Sequence, residues 1–385
     1  MKRTGWRLRP MGRRGLAAQR GAALIVTIFV VALVTVLVLE YHFDTTVERE
    51  LSEHYAQTVK AYQMALAGLQ FARAVLDKDD VEYDSVDELW HNLGAFGCVP
   101  PEQMLALVKA AAEAKENNVV SLAGAYEEPA APSETACVKI TITDETAKLP
   151  LNALVDSDSD AIQEEWRAIF ETFFADFEID ADAIDALIDW MDLSPGHLAG
   201  GAEDEYYEGL EPPYKTPDRP IEVMGELRLI RHFDCETLAK LFPGSECQHV
   251  GGLDLGANAY LTPYGGVPAS GLVNLNTAND VVLRAVTRGD TACVTQVLEK
   301  RLSVEGQLIS DPIRSLDDVS ECNAIPDFEQ FAGTTSTHFR VESEAQIEGL
   351  IKKKIVAVLL RDQGGAAASA SPDASALTMV YFKIE

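Results

Sequence analysis

Eighteen consecutive uncharged, mostly apolar residues, Ala22 to Leu39, constrain this chain more than any other feature. Seven bases precede them (Lys2, Arg3, Arg7, Arg9, Arg13, Arg14 and Arg20) with no acid among them, and Glu40 is the first acidic residue of the chain. As a helix the run is about 27 Å long against a hydrocarbon layer of roughly 30 Å, so it can span a membrane. The positive-inside rule leaves residues 1–21 in the cytoplasm and the bulk of the chain on the other side. That bulk holds 25 bases and 61 acids, a charge of −36. It repels phosphate backbones, which argues against nucleic acid as a partner. With 385 residues, 47% of them hydrophobic, the chain can bury a sizeable core spread over two or three domains.

The segment "LVLEYHFDTTVERE" after the apolar run offers no small-residue A-x-A site, so cleavage there is not expected. Instead Leu51, Tyr55, Val59, Tyr62, Leu66 and Leu69 repeat at threes and fours. One helix from about Ala22 to Leu76 follows, apolar in its first half and amphipathic in its second. A further helix is expected at about 101–115. "CVKITITD" then alternates Val138, Ile140 and Ile142 with polar neighbours, the period of a half-buried strand.

From Asp160 the period becomes helical. Ile162, Trp166, Ile169, Phe170 and Phe173 share one face, with Asp160 and Gln163 placed as a capping box, and Ile184, Leu187, Ile188 and Met191 share another. Thr277 with Asp280 and Ser315 with Asp318 have the spacing of further helix caps. After Thr337 the strand period returns in "THFRVESEAQI", "KKKIVAVLLRD" and "ALTMVYFKIE", with the flexible composition "QGGAAASASPDAS" before the last. The order of long helix, strand, helical block and strands predicts an α+β fold: an all-helical domain inserted into an antiparallel sheet that packs on the amino-terminal helix.

"QRGAALIVTIFVVALV" resembles the class III leader of type IV pilins and type II secretion pseudopilins. The resemblance implies cleavage by prepilin peptidase between Gly21 and Ala22, with methylation of the new terminus. It also implies a single-pass inner-membrane protein with its bulk in the periplasm of a Gram-negative bacterium. Pilins carry glutamate at the fifth mature position, but Val26 stands here, a departure that the large minor pseudopilins of the family share. "LIDWMDLSPGHLAGGAEDEYYEGLEPPYKTPDRPIEVMGELRLIRHF", Leu187 to Phe233, looks like their signature, and "PLNALVD" and "VNLNTAN" are similar to flanking segments. The division implied is a leader over 1–21, a transmembrane half-helix over 22–39, a pilin-like first part over 40–150, an inserted helical domain over 151–325 and pilin-like strands over 326–385. The implied function is a minor pseudopilin at the tip of the periplasmic pseudopilus. The implied partners are the other minor pseudopilins GspI, GspJ and GspH, the major pseudopilin, the inner membrane and the peptidase.

The signature loop brings Asp189, Asp192, Glu203, Asp204 and Glu205 together among Gly196, Gly200, Gly201 and Gly209. Clustered carboxylates on an irregular loop suit Ca²⁺, which accepts six to eight oxygen ligands flexibly, and a merely solvated acidic loop is the alternative. "DSDSD" begins like an EF-hand but has Ala161 at the glycine position and Arg167 at that of the bidentate glutamate, so Asp156 and Asp158 are expected at most to help a second ion. "VNLNTANDVVLRAV" resembles half of a helix-hairpin-helix, yet lacks the basic surroundings a phosphate backbone needs.

Six cysteines without CxxC spacing fit disulfides in an oxidising compartment. Sequence neighbours suggest Cys98 with Cys137, Cys235 with Cys247 and Cys293 with Cys322, although six cysteines allow fifteen pairings. Seven histidines fall in no HExxH, and neither a GxSxG elbow nor a glycine-rich phosphate loop is present. The chain reads as an assembly part rather than an enzyme. The other reading is a signal-anchored periplasmic protein that binds its target through calcium.

Overall fold

The computed structural model describes residues 16–79, 82–101, 103–104, 106, 136–242, 260–265, 272–301, 312–361 and 377–385. Most of the helix expected at 101–115 lies outside these residues, as do the basic end up to residue 15, Cys247 and the "QGGAAASASPDAS" segment. The chain forms two compact units, one ending at Lys60 and one running from Ala61 to Glu385.

Helix α1, Leu16–Asp77, is uninterrupted. Neither Pro nor an unfavourable run of β-branched residues breaks the amphipathic second half, and the apolar first half satisfies its backbone internally as a membrane requires. Among the described residues, one helix is long and apolar enough to cross a membrane, and it is this one, over Ala23–Asp77. In the first unit the apolar side chains from Leu24 to Val59 are exposed. In the second unit Ala61, Ala65, Leu69, Ala72 and Leu76 are buried against a sheet. Gly68 sets the approach: a β-carbon there would stand 2.8 Å from Val138 Cγ1 and 3.3 Å from Ser343 Cβ.

A short helix α2, Leu89–Asn92, precedes the sheet and places Trp90 edge-on against Phe339, with ring centroids 5.2 Å apart. The sheet has strands β1, Ala136–Asp144, β6, His338–Ile347, β7, Ile351–Arg361, and β8, Leu377–Ile384, in the order β1-β6-β7-β8. Each neighbouring pair is antiparallel. Ile140 faces Ser343 and Val341 faces Ala357, so the period-two pattern puts Val138, Ile140, Ile142, Phe339, Val341, Ile355 and Ala357 in one core with α1.

Between β1 and β6 the chain builds a second hydrophobic core from helices α3, Glu164–Asp176, α4, Asp182–Met191, α5, Asp204–Glu208, α6, Cys235–Leu241, α7, Asp280–Val286, and α8, Thr291–Arg301. This insertion is predominantly helical but not purely so. Two-residue strands pair in parallel, β2, Leu149–Pro150, with β3, Leu261–Thr262, and β4, Val273–Asn274, with β5, Ala332–Gly333. Ile169, Phe170, Phe173, Ile184, Leu187 and Ile188 are buried, the two faces read from periodicity.

Two caps differ from expectation. Helix α3 starts later, with Gln163 at its N-cap and no side-chain capping bond, because Asp160 adopts φ 55° and turns its carboxylate to the Leu193 amide at 2.9 Å. Helix α7 is capped by Asn279, which accepts from the Val282 amide at 2.9 Å. Thr277 donates instead to Asp144, a partner 133 residues away. Tertiary contacts thus outcompete the local capping pattern.

The two cores of the second unit meet through buried polar groups. Asn274 Nδ2 donates to Asp84 O at 3.0 Å and Ser336 Oγ at 2.7 Å. Glu145 accepts from Lys148 Nζ at 2.8 Å, Arg340 Nε at 2.6 Å and Thr262 Oγ1 at 2.7 Å. Burial alone would raise the Glu145 carboxyl, but Lys148 and Arg340 outweigh it and hold it at about 2.

Candidate functional site

Helix α4 begins with Asp182 and carries Asp185 and Asp189 one helical turn apart, followed by Asp192 at its C-cap. The spacing places Asp185 and Asp189 on the same face, and both are buried. The glycine loop folds its amides back onto that face. Gly200 N–H donates to Asp185 Oδ2 at 2.9 Å, and Leu198 N–H reaches both Asp189 oxygens at 3.1 Å. The loop passes so close that a β-carbon on Gly200 would lie 2.6 Å from the Asp182 Cα. Asp185 is further paired with Arg167 at 2.5 Å.

The next two carboxylates are compensated on one side only, Asp192 by the Ser194 amide and Glu203 Oε2 by Thr216 Oγ1. Asp192 Oδ1 and Glu203 Oε1 are buried and have no hydrogen-bond partner. Burial, followed by the neighbouring charges of Asp189, Asp160 and Asp218, pushes Asp192 up to about 6. Burial and the charges of Asp189, Asp192 and Asp218 push Glu203 up to about 7. Asp189 is raised as well, chiefly by burial. An orphaned, desolvated oxygen costs free energy unless a cation or proton meets it. Here two such oxygens sit among mutually repelling carboxylates. This donor set is hard oxygen throughout, the chemistry of a Ca²⁺ site.

Of the residues picked from sequence, Asp189, Asp192 and Glu203 belong to this cluster. Asp204 is otherwise engaged: Lys215 binds it at 2.5 Å and the Thr216 amide at 3.1 Å, with the Lys215 bond the chief reason its carboxyl stays below the ordinary range. Asp156, half-buried, closes an Asx-type turn, accepting from the Asp158 amide at 3.0 Å and the Ser159 amide at 2.8 Å, and Asp158 is exposed. Glu205 is exposed. Two members escaped the sequence reading. Asp160 looked like a helix cap, and Asp218 lies inside the proline-rich stretch "PPYKTPDRP". Both hold positive φ, 55° and 47°, a conformation that aspartate tolerates better than most residues and the one local signal they share.

Cys98 is joined to Cys137 and Cys293 to Cys322, with Cα–Cα distances of 5.3 and 4.6 Å. Cys235 is also disulfide-bonded. Gly21 and Ala22 lie within helix α1.

The structure joins a helix of membrane-spanning length to an antiparallel sheet that carries a large, predominantly helical insertion with an acidic loop. Residues 147–244, which include helices α3 and α4 and the whole loop, match the family model described as type II secretion system (T2SS), protein K. The type II secretion system protein K of Klebsiella pneumoniae is 26% identical over 234 residues, covering 58% of this chain and 61% of that protein. Its counterpart from Pseudomonas aeruginosa is 23% identical over 296 residues, 75% of this chain and 73% of that protein. That of Aeromonas hydrophila is 42% identical over 60 residues, 15% of this chain and 18% of that protein. A chain in the crystal structure of the GspK-GspI-GspJ complex from enterotoxigenic Escherichia coli superposes with a TM-score of 0.47 at 13% identity, covering 74% of this chain and 97% of that one.

Proposed function

We propose that this chain is a minor pseudopilin that assembles with other minor pseudopilins at the tip of the periplasmic pseudopilus and initiates or caps it during protein export. The observation that carries the reading is the match of residues 147–244, the first part of the helical insertion, to that family model, joined in one chain to a membrane-length helix with exposed apolar residues. Prepilin peptidase cuts between Gly21 and Ala22, and the new amino terminus is methylated. Val26 is then the fifth mature residue. A glutamate there serves as partner to the terminal ammonium of a subunit above. At the tip, with nothing above, that carboxylate would be an uncompensated charge in an apolar surrounding, and Val26 avoids the penalty. The bulk of the insertion likewise suits a position that no subunit has to cover. The E. coli GspK was solved with GspI and GspJ, and we carry the same partners to this chain, together with GspH and the major pseudopilin.

Asp160, Asp189, Asp192, Glu203 and Asp218 are the residues proposed to hold Ca²⁺. The ion would neutralise their mutual repulsion and tie the signature loop to α4. The assembly reading is tested by co-expressing the full chain with prepilin peptidase, GspI and GspJ. Amino-terminal sequencing is expected to begin at Ala22, and the processed chain to co-purify with both partners. An intact Met1 would instead support the signal-anchored binding protein.

A further inference from the structure

The segment that follows α1 carries an acidic knot away from the loop site. Carboxylate oxygens of Asp79, Asp84 and Glu88 lie within 4.8 Å of one another. Arg361, at the end of β7 and 3% exposed, binds Asp84 Oδ1 at 2.7 Å and Asp79 Oδ2 at 3.1 Å, so a guanidinium already supplies the cation. Asp144, at the end of β1, adds its charge to that on Asp84. Nearby Asp87 has Arg314 as its charge partner, and burial holds His91 toward its neutral form, so neither relieves the knot. Among the described residues Glu88 receives neutral donors alone: Ser85 N–H and Trp90 Nε1–H, both at 3.0 Å on Oε2.

The same segment is seated where the end of the sheet meets the helical block. Asp84 N–H donates to Thr334 O at 2.8 Å, Asp84 Oδ2 accepts from the Ser336 amide at 2.6 Å, and Trp90 is fully buried. Three clustered carboxylates share one guanidinium that binds the other two, and Glu88, held among the described residues by neutral donors, lies in a desolvated place where the neutral acid is favoured.

We propose that Glu88 is a proton-held latch: as a neutral carboxyl it seats residues 82–96 between the sheet and the helical block, and its ionisation beside Asp79 and Asp84 loosens that seat. Geometry and titration agree in direction. Burial, then the charge of Asp79, pushes Glu88 up to about 8 from an ordinary 4.5. Burial, with the charge of Asp144 acting against Arg361, also raises Asp84, to about 6. Seating therefore takes up a proton between pH 4.5 and 8. Its stabilisation is complete below 4.5, falls as pH rises, and is gone above about 8. Opening of the segment through Glu88 grows up to about tenfold per pH unit in that window.

Hydrogen exchange of the amides of residues 85–96, measured on the full chain in detergent micelles from pH 5 to 8 and corrected for intrinsic chemical rates, tests this. The wild type is expected to show a steeper rise of opening with pH than Glu88→Gln, by up to tenfold per unit. Equal slopes overturn the latch. If Glu88→Gln does not fold, Asp79→Asn decides: with the repulsion relieved, opening should level off at a lower pH than in the wild type, and an unchanged plateau overturns the proposal.

Discussion

Glu145 is the residue on which the polar junction turns. Its carboxylate joins a lysine three positions on, an arginine from β6 and a threonine from β3, and all four side chains are buried. Replacing it by glutamine strands two buried cations, and losing one partner of a buried pair destabilises by roughly 3–5 kcal/mol. Urea unfolding of Glu145→Gln at pH 7 is expected to show a loss of that order. Because the folded carboxyl is held near 2 against an ordinary 4.5, its contribution is present above about pH 4.5 and fades as pH falls toward 2. The two proteins should therefore converge in stability in acid, and a gap that stays constant from pH 7 to 2.5 would contradict this account. Nothing near Glu145 in sequence announces the role. Lys148 is local, but Arg340 lies 195 residues away.

At the scale of elements, α1 and the strands were legible because their periodicity is local. The repeat from Leu51 to Leu69 and the alternation through Val138, Ile140 and Ile142 each describe one face of one element. Caps were less legible, since Asp160 and Thr277 had competing partners that the chain brings in from afar. The edge of β1 illustrates an element held by covalent means. Val99 exchanges both backbone hydrogen bonds with Val138, at 2.9 and 2.8 Å, directly beside the Cys98–Cys137 disulfide. For a sequence separation of 39 residues, chain entropy puts that cross-link at about 3–4 kcal/mol. Cys98→Ser with Cys137→Ser should lower global stability by about this amount and speed amide exchange at Val99 and Val138 more than in β7. Retained protection at both amides would show that the pairing does not depend on the cross-link.

For the whole molecule the dominant quantity is the formal charge of −29, concentrated here into a cluster with two orphaned oxygens. A cation that binds the folded state alone stabilises by about 2.7 kcal/mol at a hundredfold excess over its dissociation constant. Calcium is therefore expected to raise the melting temperature of the full chain in micelles, and EDTA to reverse the rise. Asp192→Asn with Glu203→Gln should be more stable than wild type in EDTA, because repulsion is removed, and should lose the calcium response. A response to calcium equal to that of the wild type would move the site elsewhere.

The sequence by itself determined the long helix with its apolar first half, the strand and helix faces, and the acidic character of the signature loop. All of these are periodicities or compositions that a stretch of chain carries alone. Only the tertiary structure decided that Asp160 and Asp218 join Asp189, Asp192 and Glu203, that Lys215 withdraws Asp204, and that Glu88 lies in an acidic knot around Arg361. These convergences depend on where the backbone turns, through positive φ at Asp160 and Asp218 and through the passage of the insertion between β1 and β6. A carboxylate's burial and neighbours, and hence whether it binds a cation, a base or a proton, are set by that path rather than by its own position in the sequence.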